Sequence, residues 1–222
     1  DPGGHMRRAL DHFPVPAVAE RIRETYYIPG GKTEKESFKT LPMATVPPTV
    51  EWQTLCVVAN FVEVFLAKEG HDRPVGINFL EKIQVPHLPS IYGAMLAGVD
   101  AVLMGAGIPL KIPGALDRFV NHESATYPIT VSGLGSDEAV TVSFDPKAVI
   151  GLDAPPLTRP MFLAIIASDV LALTLKRRAN GRVDGFIVEG PTAGGHNAPP
   201  RGALQLNDRG EPVYGSRDVV NL

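Results

Sequence analysis

Four short apolar runs, each bounded by chain-breaking residues, constrain this chain more than any other feature. They are Pro74-Val-Gly-Ile-Asn-Phe-Leu80, Asp100-Ala-Val-Leu-Met104, Pro160-Met-Phe-Leu-Ala-Ile-Ile166 and Asp184-Gly-Phe-Ile-Val188. None alternates strictly between apolar and polar residues. Each is therefore expected to be a strand buried on both faces, as strands of parallel sheets are. Between and around them lie stretches with helical spacing at 51–69, 89–98, 112–120 and 168–179. The last has Ser168 or Asp169 as N-cap, Lys176-Arg-Arg178 at the end where cations suit the helix dipole, and Asn180-Gly181 as its stop.

A strand followed by a helix, repeated, is an α/β pattern with a parallel sheet. Doubly wound sheets and closed (β/α)8 barrels both satisfy it. In both, ligands sit beyond the carboxyl ends of the strands. The polar and glycine residues at those ends here are Asn78, Gly105-Ala-Gly107, Ser168 and the loop from Glu189 to His196.

Outside this rhythm the chain is irregular. Residues 17–27 have helical spacing and are stopped by Pro29-Gly-Gly31; residues 28–50 carry Pro42, Pro47 and Pro48 and read as an irregular insert. Residues 121–159 form a second insert, with one alternating piece, 138–144, that predicts a hairpin or edge strand.

Composition excludes several classes. With 44% hydrophobic and 20% charged residues among 222, the chain can bury a sizeable core. A net charge of −3 supplies no broad basic field for nucleic acid or an anionic membrane. The lone Cys56 excludes a disulfide within the chain or a cysteine zinc site, and within its apolar run it reads as a small buried residue. No basic region and apolar run open the sequence, and 161–175, taken as the longest apolar stretch, is too short to span a bilayer. A cytoplasmic location is the expectation.

His5, His12, His71, His87 and His122 are scattered without metal-ligand spacing, so no metal is expected. Glu81-Lys82, just past Asn78, reads as a solvated loop ahead of a lining of the substrate mouth, Glu63 and Glu69 as solvated helix charges, and Gly105-Ala-Gly107 as a tight turn ahead of a phosphate cradle. No Gly-x-Ser-x-Gly elbow supports a hydrolase.

The sharpest chemical signal is Glu189-Gly-Pro-Thr-Ala-Gly-Gly-His196, directly after a predicted buried strand. Adjacent glycines let backbone N–H groups approach an anion or a flat ring. A histidine held beside them can act as acid or base near neutral pH. On the motif alone, an ordinary loop is an equal reading.

Ala193-Gly-Gly-His196 after a strand ending Val-Glu-Gly resembles the nitronate monooxygenases and the related FMN-dependent enoyl-ACP reductases. Gly76-Ile-Asn78 and the run from Ala97 to Pro109 resemble the same family in order and spacing, so the likeness covers roughly residues 74–202. It implies a (β/α)8 barrel of TIM type with FMN at its carboxyl face. It implies Asn78, Glu189, Gly194 and Gly195 as flavin contacts and His196 as the catalytic acid/base. In that family the histidine takes an α-proton or steadies the substrate anion, the flavin accepts an electron, and oxygen completes conversion to a carbonyl compound and nitrite.

Glu189 stands where many nitronate monooxygenases carry Gln and enoyl reductases carry Glu. The co-substrate is accordingly molecular oxygen in one reading and NAD(P)H in the other. Four strand–helix units are legible where a barrel needs eight. The expectation is thus one domain over 1–222 covering part of a barrel. A reading of another class is a cofactor-free scaffold that associates with a partner, or with itself as a homo-oligomer, through open strand edges.

Overall fold

The computed structural model describes residues 1–222 except 2, 134–139, 152–155, 191–192, 194–198, 219 and 222. Among these it is a mixed α/β chain with seven α-helices, a four-stranded parallel sheet and a separate antiparallel pair.

Two helices, α1 (His5–Asp11) and α2 (Pro16–Tyr26), open the chain; α1 was not legible in the sequence. Residues 28–49 contain no helix or strand. The long α3 (Val50–Lys68) starts at Thr49, whose side chain accepts from the Trp52 N–H at 3.2 Å. Helix α3 is 19 residues long with a mean hydropathy of 1.4, enough by length and composition alone to cross a membrane. It displaces 161–175 as the longest apolar stretch. Its apolarity has a local cause: Val57, Phe61 and Val64 are buried in the core, and Gly93 lies against the Val57 carbonyl.

The parallel sheet consists of β1 (Gly76–Leu80), β2 (Ala101–Gly105), β5 (Met161–Ile166) and β6 (Gly185–Val188), all four predicted. Their spatial order is β1-β2-β5-β6, following the chain without reversal. Three crossovers link them: α4 (His87–Leu96), then α5 (Ile112–Val120) with the second insert, then α7 (Asp169–Arg178). Ser168 caps α7, accepting from Leu171 N–H. In the insert, β3 (Ala125–Ile129) pairs antiparallel with β4 (Val140–Phe144), as the alternating piece predicted, and a short α6 (Pro146–Ile150) follows, capped by Asp145.

The sheet departs from expectation in its burial. Val102, Met104, Phe162, Ala164 and Ile166 on one face are buried in a single core with the helices, and Ile77 and Phe79 pack against it. On the opposite face Leu103, Leu163, Ile165 and Ile187 are only half-buried and lie outside that core, while Gly76, Asn78 and Met161 are exposed. The expected burial on both faces is thus corrected to burial on one for β2 and β5, while in β6 Phe186 and Val188, in register with Ala164 and Ile166, are each 38% exposed. Apolar residues occur on both faces because β-propensity and apolarity do not encode which face meets a helix.

Two carboxylates pin the amino ends of the strands. Asp100 accepts from Val75 N–H at 2.8 Å and Lys68 Nζ at 2.6 Å. Asp184 accepts from Phe162 N–H at 2.8 Å and Arg159 Nη1 at 2.8 Å. Both are held below the usual carboxylate range. For Asp100 the Lys68 hydrogen bond dominates. For Asp184 burial opposes ionisation, and the Phe162 N–H and Arg159 outweigh it. The aromatic centre of the core is Tyr92, Phe119 and Phe144, with ring centroids 5.4–5.7 Å apart, which fastens the β3–β4 pair to α4 and α5.

Candidate functional site

The carboxyl ends of the parallel strands gather side chains from segments far apart in sequence. Parallel pairing sets Asn78 level with Leu103, Leu103 with Leu163, and Leu163 with Gly185. Asn78 lies on the open face. It is exposed, and its amide takes no hydrogen bond from the described residues. Around it Leu103 reaches over Gly76, Ile165 over Gly105 and Leu163 over Gly185; a Cβ at these glycines would stand 2.9, 2.9 and 3.1 Å from those side chains. The glycines leave a flat apolar floor with one amide at its edge.

Glu189 follows β6, half-buried, its N–H bonded to the Ile166 carbonyl at 2.8 Å. Asn78 and Glu189 therefore lie at the two outer strands, three strand spacings apart and offset along them, since Asn78 is level with Gly185, four residues before Glu189. Gly194, Gly195 and His196 lie outside the described residues, so the proposed acid/base and two of the four expected flavin contacts have no placement.

The structure adds a cluster beyond β1 that the sequence reading left as solvated loop. The Glu81 N–H bonds to the Gly105 carbonyl at 2.8 Å, continuing the parallel ladder. Its Oε1 accepts from Tyr127 Oη at 2.9 Å and Gln84 Nε2 at 3.0 Å, and Gln84 Oε1 in turn accepts from Thr130 N–H at 2.6 Å. The other oxygen, Oε2, lies so close to Gly107 that a Cβ there would overlap it. Gly107 is thus a close-approach position, and Ala106 before it adopts a left-handed φ of 55°, costly for any residue with a Cβ.

His87 opens α4 and is 1% exposed. Its Nε2 donates to the Leu80 carbonyl at 3.0 Å; since a carbonyl can only accept, Nδ1 carries the lone pair. Nδ1 is buried with no hydrogen-bond partner among the described residues. The ring stands edge-on to Tyr127 at 5.1 Å. Burial lowers the His87 pKa, partly opposed by the Leu80 carbonyl and Glu81, so the ring stays neutral. Burial first, and then Glu81, push the Tyr127 phenol well above its usual range.

Chemically, the cluster holds a carboxylate with one oxygen fixed by a phenol and an amide and the other directed at a strained turn. Only the Glu81-x-x-Gln84 spacing just past a strand could have signalled it. Tyr127 lies in the second insert, where no local pattern points back to β1. Of the other histidines, His5 begins α1, and His122 lies in the turn after α5 but is buried there, bonded to Tyr92 Oη at 2.7 Å. Burial pushes the Cys56 thiol up to about 11, which removes it as a nucleophile near neutral pH. Comparison with protein families, curated proteins and solved structures finds no match.

Proposed function

We propose that this chain belongs to an FMN-dependent (β/α)8-barrel oxidoreductase with nitronate monooxygenase-like chemistry, oxidising alkyl nitronates with oxygen to carbonyl compound and nitrite. The observation that carries the reading is the sheet order, which follows the chain without reversal and sets Asn78 on an open apolar face. Successive parallel strands laid down in one direction are what a barrel is made of. A doubly wound sheet reverses at its switch point.

The described residues fit the flavin. A flat ring matches the floor of Leu103, Leu163 and Ile165, and its polar edge matches an amide that both donates and accepts. When bound, FMN supplies the electron-accepting ring, chemistry no side chain here offers. The chain's own residues orient it through Asn78 and Glu189, approach it through the Gly194 and Gly195 backbone, and move the substrate proton at His196. The substrate is a small molecule and the setting cytoplasmic; the reading involves neither nucleic acid nor membrane.

Glu189 favours a second activity on the same cofactor, an enoyl-thioester reductase drawing hydride from NAD(P)H. The two readings separate in the assay. Nitrite release without nicotinamide supports the first, and nicotinamide-dependent reduction of an enoyl thioester the second.

The experiment that tests the cofactor is a visible absorption spectrum before and after addition of FMN and desalting. A retained flavin spectrum is expected. Its absence from this chain and from a version extended at both ends overturns the reading.

A further inference from the structure

A cleft of about 950 Å³ lies away from the strand ends, between α1, α2, the 28–41 segment and α3. Its walls are apolar: Leu10, Ile22, Ile28, Phe38, Leu55 and Val62 among them. Small-molecule sites range over roughly 300–1,000 Å³ and are mostly apolar with a few placed polar groups. Met6, Phe38 and Leu41, which border it, are 55%, 70% and 60% exposed, a cluster of large apolar side chains left in water.

The rim is cationic in an ordered way. Arg7 lies over the Tyr27 ring at 5.3 Å and Lys32 over Phe38 at 5.1 Å, all four lining the cleft, and Lys39, just beyond the lining, lies over the lining ring of Tyr26 at 5.4 Å. An aromatic face holds a cation at an apolar wall without neutralising it. The lining carboxylates are Asp1 and Glu63. Asp1 pairs with Arg7 at 3.6 Å, whereas Lys32 and Lys39 form no ion pair among the described residues. Arg23, also in the lining, has Nε buried without a hydrogen-bond partner.

We propose that this cleft binds a single-chain amphiphile with a carboxylate head, its hydrocarbon chain along α3 and its head at Lys32 and Lys39. An apolar trough alone would accept any chain. The two ammonium groups, in no ion pair among the described residues, select an anion, and the concavity selects one chain over a bilayer surface.

The test is isothermal titration of the full chain, without flavin, using decanoate, decanol and decyltrimethylammonium below their micellar concentrations. One equivalent of decanoate is expected to bind. Decanol should bind at least about tenfold more weakly, the scale of a lost charge-assisted contact, and the ammonium not measurably. Replacing both Lys32 and Lys39 by Gln should bring decanoate to the level of decanol. Ala59→Trp fills the trough from an exposed position of α3 and should abolish binding while leaving the circular dichroism unchanged. Should Ala59→Trp perturb the fold, Phe38→Glu at the exposed rim replaces it, with the same expected loss. The proposal is overturned by equal affinity for all three ligands, by absence of heat with decanoate, or by binding that survives the filling variant. Binding to anionic phospholipid vesicles that survives Ala59→Trp likewise overturns it, making the surface, not the cleft, the site.

Discussion

The phenol of Tyr127 donates to Oε1 of Glu81, 2.9 Å away and 46 residues earlier in the chain. Together with the Thr130 N–H on Gln84, this bond joins the antiparallel pair to the carboxyl end of the parallel sheet. The second insert is therefore not an appendage: it fixes the carboxylate that stands beside the Gly105-Ala106-Gly107 turn.

Tyr127→Phe keeps the ring and its edge contact with His87 but removes the donor. A hydrogen bond to a charged group contributes about 1.5–3 kcal/mol, and that loss is expected in urea unfolding. The variant should also respond differently to alkali. Tyr127 and Tyr92 are both raised above the ordinary 10.0, in each case chiefly by burial. Their contribution to stability is complete below about pH 10. It declines as pH rises from there through their folded values, because the unfolded chain releases those protons first. Tyr127→Phe should show a shallower alkaline decline than the parent; an identical slope would mean that Tyr127 does not hold its proton in the folded state.

Gly93 in α4 lies where a Cβ would overlap the Val57 carbonyl oxygen of α3. Alanine in a helix is favoured over glycine by about 1 kcal/mol. Overpacking costs about 1–3 kcal/mol, and the upper end applies because the obstacle is backbone that cannot rotate away. Gly93→Ala should therefore destabilise by about 1–2 kcal/mol net in thermal or urea unfolding, contrary to propensity. A stabilised variant would show that α3 and α4 can separate at no cost.

Helices α3, α5 and α7 and the four parallel strands were legible because each has apolar spacing and breakers of its own. The 138–144 alternation was enough to announce the β3–β4 pair. What was not legible is relational. Nothing in Met161–Ile166 says that Phe162 and Ala164 meet helices while Leu163 and Ile165 do not. His87 and His122 lie beside prolines and charges in sequence, and only packing buries them. Of the site, Glu189 was readable as a polar residue at a strand end, whereas Asn78, expected at the end of its strand, lies at the middle of β1, level with Leu103. Glu81 takes its role from Tyr127, a buried residue at the centre of β3, and nothing in either local pattern pairs two positions 46 residues apart.

His196→Asn should retain FMN and lose turnover. The Asn amide preserves much of the volume and a donor but cannot take a proton. General acid–base groups contribute about 10²–10⁴-fold, and a fall of that size is expected, with an unchanged flavin spectrum, in the turnover of substrates that need proton abstraction, such as neutral nitroalkanes. Asn78→Ala should do the reverse, weakening flavin retention with a smaller effect on the turnover of protein still loaded. Unchanged turnover in His196→Asn would remove this residue from the mechanism.

Asp184 supports a prediction at the opposite end of the pH scale. Its Oδ2 receives Phe162 N–H and Arg159, and its Oδ1 receives Arg182 Nε at 2.7 Å. The Asp184 and Arg159 side chains are 13% and 14% exposed, so this pair is little screened by water. Asp184→Asn leaves Arg159 with Asp117, at 2.5 Å, as its remaining carboxylate. Asp184 is an exposed residue although its side chain is mostly covered, so the expected cost is that of a hydrogen bond to a charged group, about 1.5–3 kcal/mol, at the lower end because Asp117 remains. The sign with pH follows from the depressed folded pKa: the stabilisation is present above the ordinary 3.8 and is lost as pH falls through the lower folded value. His87, lowered by burial from 6.5, acts in the same direction at milder acidity. The parent should therefore lose stability in two stages on acidification, the first below about pH 6.5 and the second below about pH 4. Asp184→Asn should reduce the second stage, leaving the share that Asp100 contributes, and leave the first. Undiminished retention of both stages would assign the acid transition to other carboxylates, Asp100 foremost.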